Sequence, residues 1–354
     1  MAIHEAAYAF LFGEKPISCQ EFGNGHINST FKVESDKGNR YVLQHINQYV
    51  FKKPEEVMEN ISAVTTHIQK YGSTVCSTPR FLQTADGSYH YRDSDGEYWR
   101  MCELVSGLSL DYPESNEDLY QSALAFGWFQ EALRDFPAHT LHETIPNFHN
   151  TVDRYVQFKE SVEKDRAGRA TIAQKEIDFL LEREEIAGTL VRELEEGKLP
   201  LRVTHNDTKL NNVLLDKVTR KCLCVLDLDT VMPGSSLYDF GDAVRFGAST
   251  AEEDEEDISK IGINLDLFRI YTKGYLEAIP SLTEEEIRLL PLSAMIITLE
   301  LSTRFLKDYL DGDLYFKTKK PNHNLIRAKS QIALAYDIEK KLPEMERIVA
   351  ELRK

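Results

Sequence analysis

The chain is short of the features that would take it outside ordinary globular chemistry. It has only 5 cysteines, at Cys19, Cys76, Cys102, Cys222 and Cys224. The number is odd and no Cys-x-x-Cys occurs, so neither a disulfide framework nor a zinc site is indicated. A cytoplasmic address is the expectation. There is no run of 18 apolar residues, and no membrane-spanning helix is expected. The first 15 residues lack a basic leader segment and carry Glu5 inside their apolar stretch, which reads as a short helix. Positive charge is scarce: 42 Lys and Arg against 58 Asp and Glu give a net charge of −16. Such a chain is a poor general binder of nucleic acid or anionic membrane, and neither is an expected partner. One local basic or metal-neutralised site for a phosphorylated ligand remains compatible with it.

What is present is a chain of 354 residues, 42% hydrophobic and 28% charged, long enough for about two domains or lobes. No repeat or low-complexity linker interrupts it. Residues 17–105 read mostly as strands, with Glu21 to Val33 alternating around a glycine pair and a short strand at 40–45. Between them and two further strand pairs, residues 54–71 switch to helical spacing, with Val57, Ile61, Val64 and Ile68 on one face. Pro54 suits the first turn of that helix and Gly72 the position past its end. Residues 80–84 and 89–92 flank Ala85-Asp86-Gly87-Ser88, and 98–105 follow Asp95-Gly96, so hairpins are expected at both turns. Beyond 105 the pattern is mainly helical: one helix through Leu119–Leu133, others at 151–165, 172–196, 284–310 and 323–352. Thr283 with Glu286 makes a capping box for the fourth. A strand-rich island lies between 201 and 231. The expected fold is α+β and two-lobed. A small antiparallel β lobe with one helix spans 1–104. A large, mainly helical lobe with an embedded β-hairpin spans 105–354. Ligands favour the cleft between such lobes.

The densest polar cluster is Thr204-His205-Asn206-Asp207-Thr208-Lys209-Leu210-Asn211-Asn212, followed by the apolar run Val213-Leu214-Leu215. A second apolar run ends in Asp227-Leu228-Asp229. Polar residues at the ends of buried strands are costly unless something binds there. The spacing H-x-D-x-x-x-x-N is that of a kinase catalytic loop. In that chemistry an Asp orients the attacking hydroxyl and accepts its proton, while an Asn and a second Asp offer hard oxygen ligands to Mg²⁺. Here these are Asp207, Asn212 and Asp227. The string Asp239-Phe240-Gly241 looks like a competing metal motif. It follows a turn and precedes a helix, so Asp239 is expected to cap that helix or brace the catalytic loop. At the other end, Gly23-Asn24-Gly25-His26-Ile27-Asn28 leads into a strand. Gly23 and Gly25 would let backbone N–H groups approach phosphates. Asn28 replaces the third glycine of a dinucleotide fingerprint, which excludes that reading.

These residues together resemble the aminoglycoside phosphotransferase and choline kinase superfamily, a protein-kinase-like fold acting on small molecules. The stretches 23–28, 202–212, 227–235, 245–250 and 304–316 are similar to the bacterial N-acetylhexosamine 1-kinases, and the likeness spans both lobes. The resemblance implies ATP-dependent phosphorylation of the anomeric hydroxyl of N-acetylglucosamine or N-acetylgalactosamine, with Mg²⁺ and ATP. It implies Asp207 as catalytic base and Asn212 and Asp227 as metal ligands. It also implies Asp229, His26, Arg304 and Tyr315 as sugar contacts. The adenine would lie against the lobe connection at Cys102 and Leu104. A monomer binding ATP and one small sugar is the expectation.

One residue departs from the kinase pattern. Strand three should carry a Lys pairing with a helix Glu, but Gln44 stands there, with Glu59 on the next helix. An amide can donate a hydrogen bond but cannot neutralise phosphate; Lys32 on the preceding strand is a second candidate for contact. Several readings stay open from the residues alone. Arg304 could form a plain helix-surface pair with Glu300, and Tyr315 could be core. The acceptor could be another hexose, a choline-like amine or an aminoglycoside, and the chain could be a non-catalytic nucleotide-binding module. The acidic run 252–257 is expected to start a solvated helix. His139, His142 and His149 lack metal-ligand spacing.

Overall fold

The computed structural model describes residues 2–23, 27–72 and 75–353. The small lobe contains α1 (Ala2–Phe10), β1 (Pro16–Glu21), β2 (Ser29–Ser35), β3 (Arg40–Ile46), α2 (Pro54–Tyr71), β4 (Tyr91–Arg92) and β5 (Tyr98–Glu103). The five strands form one antiparallel sheet in the order β1-β2-β3-β5-β4. Val33, Leu43 and Met101 stand on one sheet face and pack against Ala6 and Phe10 of α1 and Leu11 just past its end. Strand alternation therefore turns Lys32, Val42, Gln44, Arg100 and Cys102 to the other face, toward the large lobe.

Helix α2 has the expected bounds. Val57, Ile61, Val64 and Ile68 are buried on one face, and the N–H of Gly72 closes on the carbonyl of Ile68 at 3.2 Å. The expected hairpin at 80–92 is weaker than its turn signal suggested. Its turn forms, with Thr84 donating to the carbonyl of Ser88 at 2.8 Å, but residue 81 makes only an isolated bridge to Cys102. Only Tyr91–Arg92 remain as strand, because the hydrogen bonds of residues 80–82 go to β5 directly.

The large lobe follows as α3 (Asn116–Ala132), α4 (Thr151–Lys164), α5 (Gln174–Leu181), α6 (Glu184–Ala187), α7 (Thr189–Glu195), β6 (Arg202–Thr204), β7 (Val213–Leu215), β8 (Cys222–Val225), β9 (Met232–Gly234), α8 (Ser236–Gly247), α9 (Leu265–Ala278), α10 (Glu284–Asp311) and α11 (His323–Leu352). The chain crosses between lobes over few residues. Leu104 N–H still bonds Arg40 of β3, and Leu108 already exchanges bonds with Leu215 of β7. β6 pairs with β9 and β7 with β8, giving two short ribbons at the cleft. The single helix expected over 172–196 is broken into α5, α6 and α7, with Gly188 at the last break. Helix α9 carried no signal in the reading above. The acidic run 252–257 is irregular and leads only into a three-residue 3-10 turn at Ile258–Lys260, capped by Asp257 through the N–H of Ser259. Its charges find tertiary partners instead: Glu253 with Arg245 at 3.3 Å, Asp254 with His323 at 2.9 Å and Glu256 with Lys320 at 2.7 Å.

Helix α10 is the axis of the large lobe. It is long and apolar enough to cross a membrane, yet 83% of its most apolar window is buried inside the protein, as in a core helix. Its N-terminus has the capping box of Thr283 and Glu286. Glu286 also receives two bonds from buried Arg202 of β6, at 2.5 and 2.8 Å, and one from Ser236 of α8 at 2.7 Å. One carboxylate thus ties α10 to the strand that leads into the catalytic loop. Helices α8 and α10 approach so closely at Gly241 that an added Cβ would lie 2.6 Å from the carbonyl oxygen of Ser293 and 2.8 Å from Cγ1 of Ile297. Gly241→Ala should push the helices apart and destabilise the protein by about 1–3 kcal/mol. Urea denaturation followed by circular dichroism checks this; an unchanged midpoint would contradict it.

Candidate active site

β6 ends at Thr204, and the chain then turns through His205, Asn206 and Asp207. A three-residue strand cannot hold such a loop by itself. Asp239, on the first turns of α8, does so. Its carboxylate accepts the backbone N–H of His205 (2.9 Å) and of Asn206 (2.8 Å) and the side-chain amide of Gln130 from α3 (2.7 Å). Thr208 Oγ1 donates to the Asp239 carbonyl at 2.7 Å. Burial raises the Asp239 carboxyl above its ordinary value, an effect that His205 and the two N–H donors offset in part. Asp239-Phe240-Gly241 is therefore architectural: a brace, a buried core ring and a close helix contact. Ser235, not Asp239, caps α8.

His205 is fully buried, edge-on to Phe126 and Phe129. Its Nδ1 accepts the N–H of Asp207 at 3.3 Å and its Nε2 donates to the Leu226 carbonyl at 2.8 Å, which defines the tautomer. The imidazole thereby links the catalytic loop to the end of β8. Thr230 Oγ1 adds a bond to the His205 carbonyl at 2.6 Å.

Asp207 sits at the mouth of this frame. Asn212 Nδ2 donates to its carbonyl at 2.8 Å and to Oδ2 at 2.9 Å, and Lys209 Nζ lies 2.9 Å from Oδ1. Lys209 was not singled out from sequence, although its place two residues after the Asp was a usable signal. Asp227 follows β8 in a left-handed conformation, φ 56° and ψ 61°, uncommon for a residue with a side chain. Its carboxylate keeps open surface toward the cleft but is enclosed by protein on its other sides. This enclosure, with the charges of Asp229 and Asp207, pushes its pKa up to about 7.

Asp229 is turned inward and only 4% exposed. It forms an ion pair with Arg100 of β5 and accepts Asn28 Nδ2 at 2.5 Å, so both of its oxygens are engaged across the lobes. Asn28 Oδ1 in turn accepts the N–H of Asn47 at 2.9 Å. Gln44 lies opposite Arg100 in the sheet, with its Oε1 accepting from Arg100 Nε at 2.9 Å and its Nε2 donating to Thr30 at 3.2 Å. Glu59 pairs with His142 of the large lobe at 2.7 Å, not with Gln44. Gly23 has φ 76°, a conformation that favours glycine. Gly25 and His26 lie outside the described residues. Cys102 is buried at the lobe connection, its thiol pushed up to about 12 by that burial, and Leu104 follows it, half-buried.

Arg304 and Tyr315 come together at the C-terminal end of α10. The pair of Arg304 with Glu300 (3.8 Å) is not a surface pair, since Glu300 is buried and also accepts His149 Nδ1 at 3.0 Å. The Arg304 guanidinium stands over the rings of Phe148 and Phe316 at 5.6 and 5.7 Å. Tyr315 is not core: it is 73% exposed, edge-on to Phe316. Asp308 positions this turn by accepting the N–H groups of Leu314, Tyr315 and Phe316 at 2.8–2.9 Å. A line of charges runs back toward Asp207. Asp242 feels Lys209 and His149, and although burial alone would raise its carboxyl, Arg245 and Lys209 hold it below its ordinary value. Asn206 also lines a cavity of about 410 Å³ with Phe148, His149 and Tyr238; Asp207 and Asp227 are not on its wall.

The fold and this loop arrangement define a phosphotransferase of the kinase-like class. Residues 18–264 match the model of the phosphotransferase enzyme family, APH, and the chain belongs to that family. Solved structures share the fold at low identity. An aminoglycoside phosphotransferase from Alicyclobacillus acidocaldarius superposes with TM-score 0.65 at 14% identity, covering 98% of this chain and 96% of its own. A microcompartment-associated aminopropanol kinase gives 0.64 at 17%, covering 98% of each chain. A choline kinase from Cryptosporidium parvum gives 0.57 at 13%, covering 92% of this chain and 90% of its own.

The family's chemistry implies a divalent cation. Among the described residues no group of three or more His, Cys, Asp or Glu could hold a metal unaided. Asp227 and Asn212 nevertheless fit a hard cation that takes part of its shell from nucleotide and water. Asp227 has no ion-pair partner among the described residues and stands among like charges, while Asn212 presents its amide nitrogen to Asp207 and leaves its oxygen free. The raised carboxyl has a measurable consequence. With a folded pKa near 7 and an ordinary value of 3.8, the stability it contributes is full below the ordinary value and is lost as pH rises through about 7. Asp227→Asn removes that loss. In metal-free buffer, the Tm of the variant relative to wild type should climb from pH 5 to pH 8; a constant difference would contradict the assignment.

Proposed function

We propose that this phosphotransferase is an ATP-dependent N-acetylhexosamine 1-kinase, transferring the γ-phosphoryl group to the anomeric hydroxyl of N-acetylglucosamine or N-acetylgalactosamine. The observation that carries the acceptor class is Arg304 held by buried Glu300 between two aromatic rings, with exposed Tyr315 beside it. Arg154 lies within electrostatic reach of the same group and is held below its ordinary value, by burial first and by Arg304 next. The two guanidinium groups there, of Arg304 and Arg154, disfavour a cationic amine. They suit a neutral polyhydroxylated ring, which accepts hydrogen bonds from Arg and stacks on aromatic faces. The sequence likeness over 202–212 and 304–316 supports the same reading.

In this reading Asp207 orients the anomeric hydroxyl and takes its proton late, because phosphoryl transfer depends mainly on positioning and charge stabilisation. Lys209, 2.9 Å from Asp207, would follow the transferring group. Bound Mg²⁺, held by Asn212 and Asp227, would neutralise charge on the nucleotide phosphates. Gly23, Gly25 and Gln44 would face the phosphates and the Cys102–Leu104 segment the adenine. A solved amicoumacin kinase of this fold is in complex with AMP-PNP and Ca²⁺ (TM-score 0.61, 13% identity, 96% of this chain and 93% of its own). A sugar hydroxyl would replace Asn28 on Asp229, with His26, Arg304 and Tyr315 completing the contacts. The enzyme is proposed to act as a cytoplasmic monomer.

ADP release with Mg-ATP and a panel of GlcNAc, GalNAc, glucose, galactose, choline and kanamycin tests this, with phosphorus NMR on the product. An anomeric phosphate on an N-acetylhexosamine is expected; turnover confined to choline or kanamycin would overturn the acceptor class. Asp207→Asn should lose turnover by about 10²–10⁴-fold while still binding ATP. Arg304→Ala should raise the acceptor KM at least tenfold and leave the ATP KM within about twofold, a gap of roughly 1.4 kcal/mol or more in acceptor binding. Equal effects on both substrates would remove Arg304 from the acceptor site.

A further inference from the structure

Kinase-like phosphotransfer needs a fixed cation behind the phosphates, and strand three here offers only the amide of Gln44. The cation nearest to that amide is on the neighbouring strand. Arg100 lies directly opposite Gln44 in the β3–β5 register and is 2% exposed. A charged residue so deeply buried needs partners, and Arg100 has them. Its Nη1 pairs with Asp229 of the large lobe, and its Nε donates to Gln44 Oε1 at 2.9 Å. Nη1 approaches Met58 Sδ of α2 at 3.9 Å, and the guanidinium plane stands over Phe81 at 5.7 Å.

Two consequences follow from the atoms engaged. Because Arg100 takes the oxygen of Gln44, the N–H₂ end of the amide turns away from Arg100, toward Thr30 of β2. Thr30 accepts from that nitrogen at 3.2 Å, and an amide nitrogen has a second N–H to offer. Because Arg100 pairs with Asp229, the Asp227 carboxylate two residues earlier has no ion pair of its own among the described residues and feels the charges of Arg100 and Lys209 only at longer range. A hydrophobic side chain would fill the same space in a merely structural role, often at no loss of stability.

We propose that Arg100 is a positioning residue for phosphotransfer that stands in for the strand-three lysine. It acts through Gln44, whose N–H₂ end it aims at the nucleotide phosphates, and through Asp229, which it withholds from competing with Asp227 for the metal. The inference rests on the phosphotransferase reading but not on the identity of the acceptor.

The test compares Arg100→Met, Arg100→Lys, Gln44→Met and the double variant Gln44→Lys/Arg100→Met with wild type. Calorimetry measures binding of ADP with and without Mg²⁺; steady-state kinetics with the best acceptor run alongside. Arg100→Met should weaken Mg-ADP binding at least tenfold and raise the Mg²⁺ concentration for half-maximal activity. Arg100→Lys should recover part of the loss, and the double variant, with its cation moved to strand three, should regain at least tenfold in kcat/KM for ATP over Arg100→Met. Should Arg100→Met fail to fold, Gln44→Met, which cuts only the amide limb, should still weaken Mg-ADP binding threefold or more. Wild-type nucleotide affinity in both methionine variants would overturn the proposal. So would a loss equal for ADP with and without Mg²⁺ and not regained in the double variant. If no acceptor is turned over, the phosphotransferase reading fails by itself, and the calorimetry still decides the role of Arg100.

Discussion

The carboxylate of Asp239 holds the backbone of the candidate active site in place. The strands that lead to the catalytic loop and to Asp227 are both short, and two residues at the site, Asn206 and Asp227, have positive φ without being glycine. Such a backbone persists only where its surroundings over-determine it. Asp239 does this from a helix, by accepting two consecutive N–H groups of the loop while Gln130 of a second helix holds its other side. His205 passes the constraint on to the end of β8, and so to Asp227. Remove this brace and Asp207, Asn212 and Asp227 are three polar residues on separate short segments.

The second constraint is electrostatic. In a chain with a net charge of −16, four cations around the cleft are each held by a carboxylate: Lys209 by Asp207, Arg100 by Asp229, Arg245 by Asp242 and Arg304 by Glu300. These pairs orient the groups before any ligand arrives, which is the condition under which fixed charges act most strongly on a developing one. They also leave little free positive charge for phosphates. Asp227, in no ion pair among the described residues and raised first by burial and then by its acidic neighbours, is where an added divalent cation would restore the balance.

Much of the fold was legible because its signals are local. Helix α2 carried its apolar stripe, its first-turn proline and its terminal glycine in sequence, and α10 its capping box. The failures are equally instructive. The residues at 80–84 have strand-like composition, but their partner is the already paired β5, so only a bridge forms. The acidic run at 252–257 resembled a helix start, yet Arg245, Lys320 and His323 satisfy it from elsewhere in the chain. At the site, Asp207, Asn212 and Asp227 stood out because a fixed spacing links them. Arg100, Asn28 and Lys209 did not. Arg100 had one overlooked signal: a charged residue at the centre of the otherwise apolar run Tyr98-Trp99-Arg100-Met101-Cys102, where burial of an arginine demands a partner.

By itself the amino-acid sequence determined the two-lobe division of secondary structure, the catalytic-loop spacing and the family likeness, because periodicity, caps and motif distances are properties of neighbouring residues. Only the tertiary structure decided which carboxylate braces and which stays free, which cation faces Gln44, and that Arg304 and Tyr315 share one surface. Asp227, Asp229 and Asp239 are alike in composition and close in number. What separates them is the partner each meets: backbone N–H groups for Asp239, a guanidinium from the other lobe for Asp229, and open cleft for Asp227. Those partners lie far away along the chain, and a carboxylate's role depends on the charges and donors that folding brings beside it.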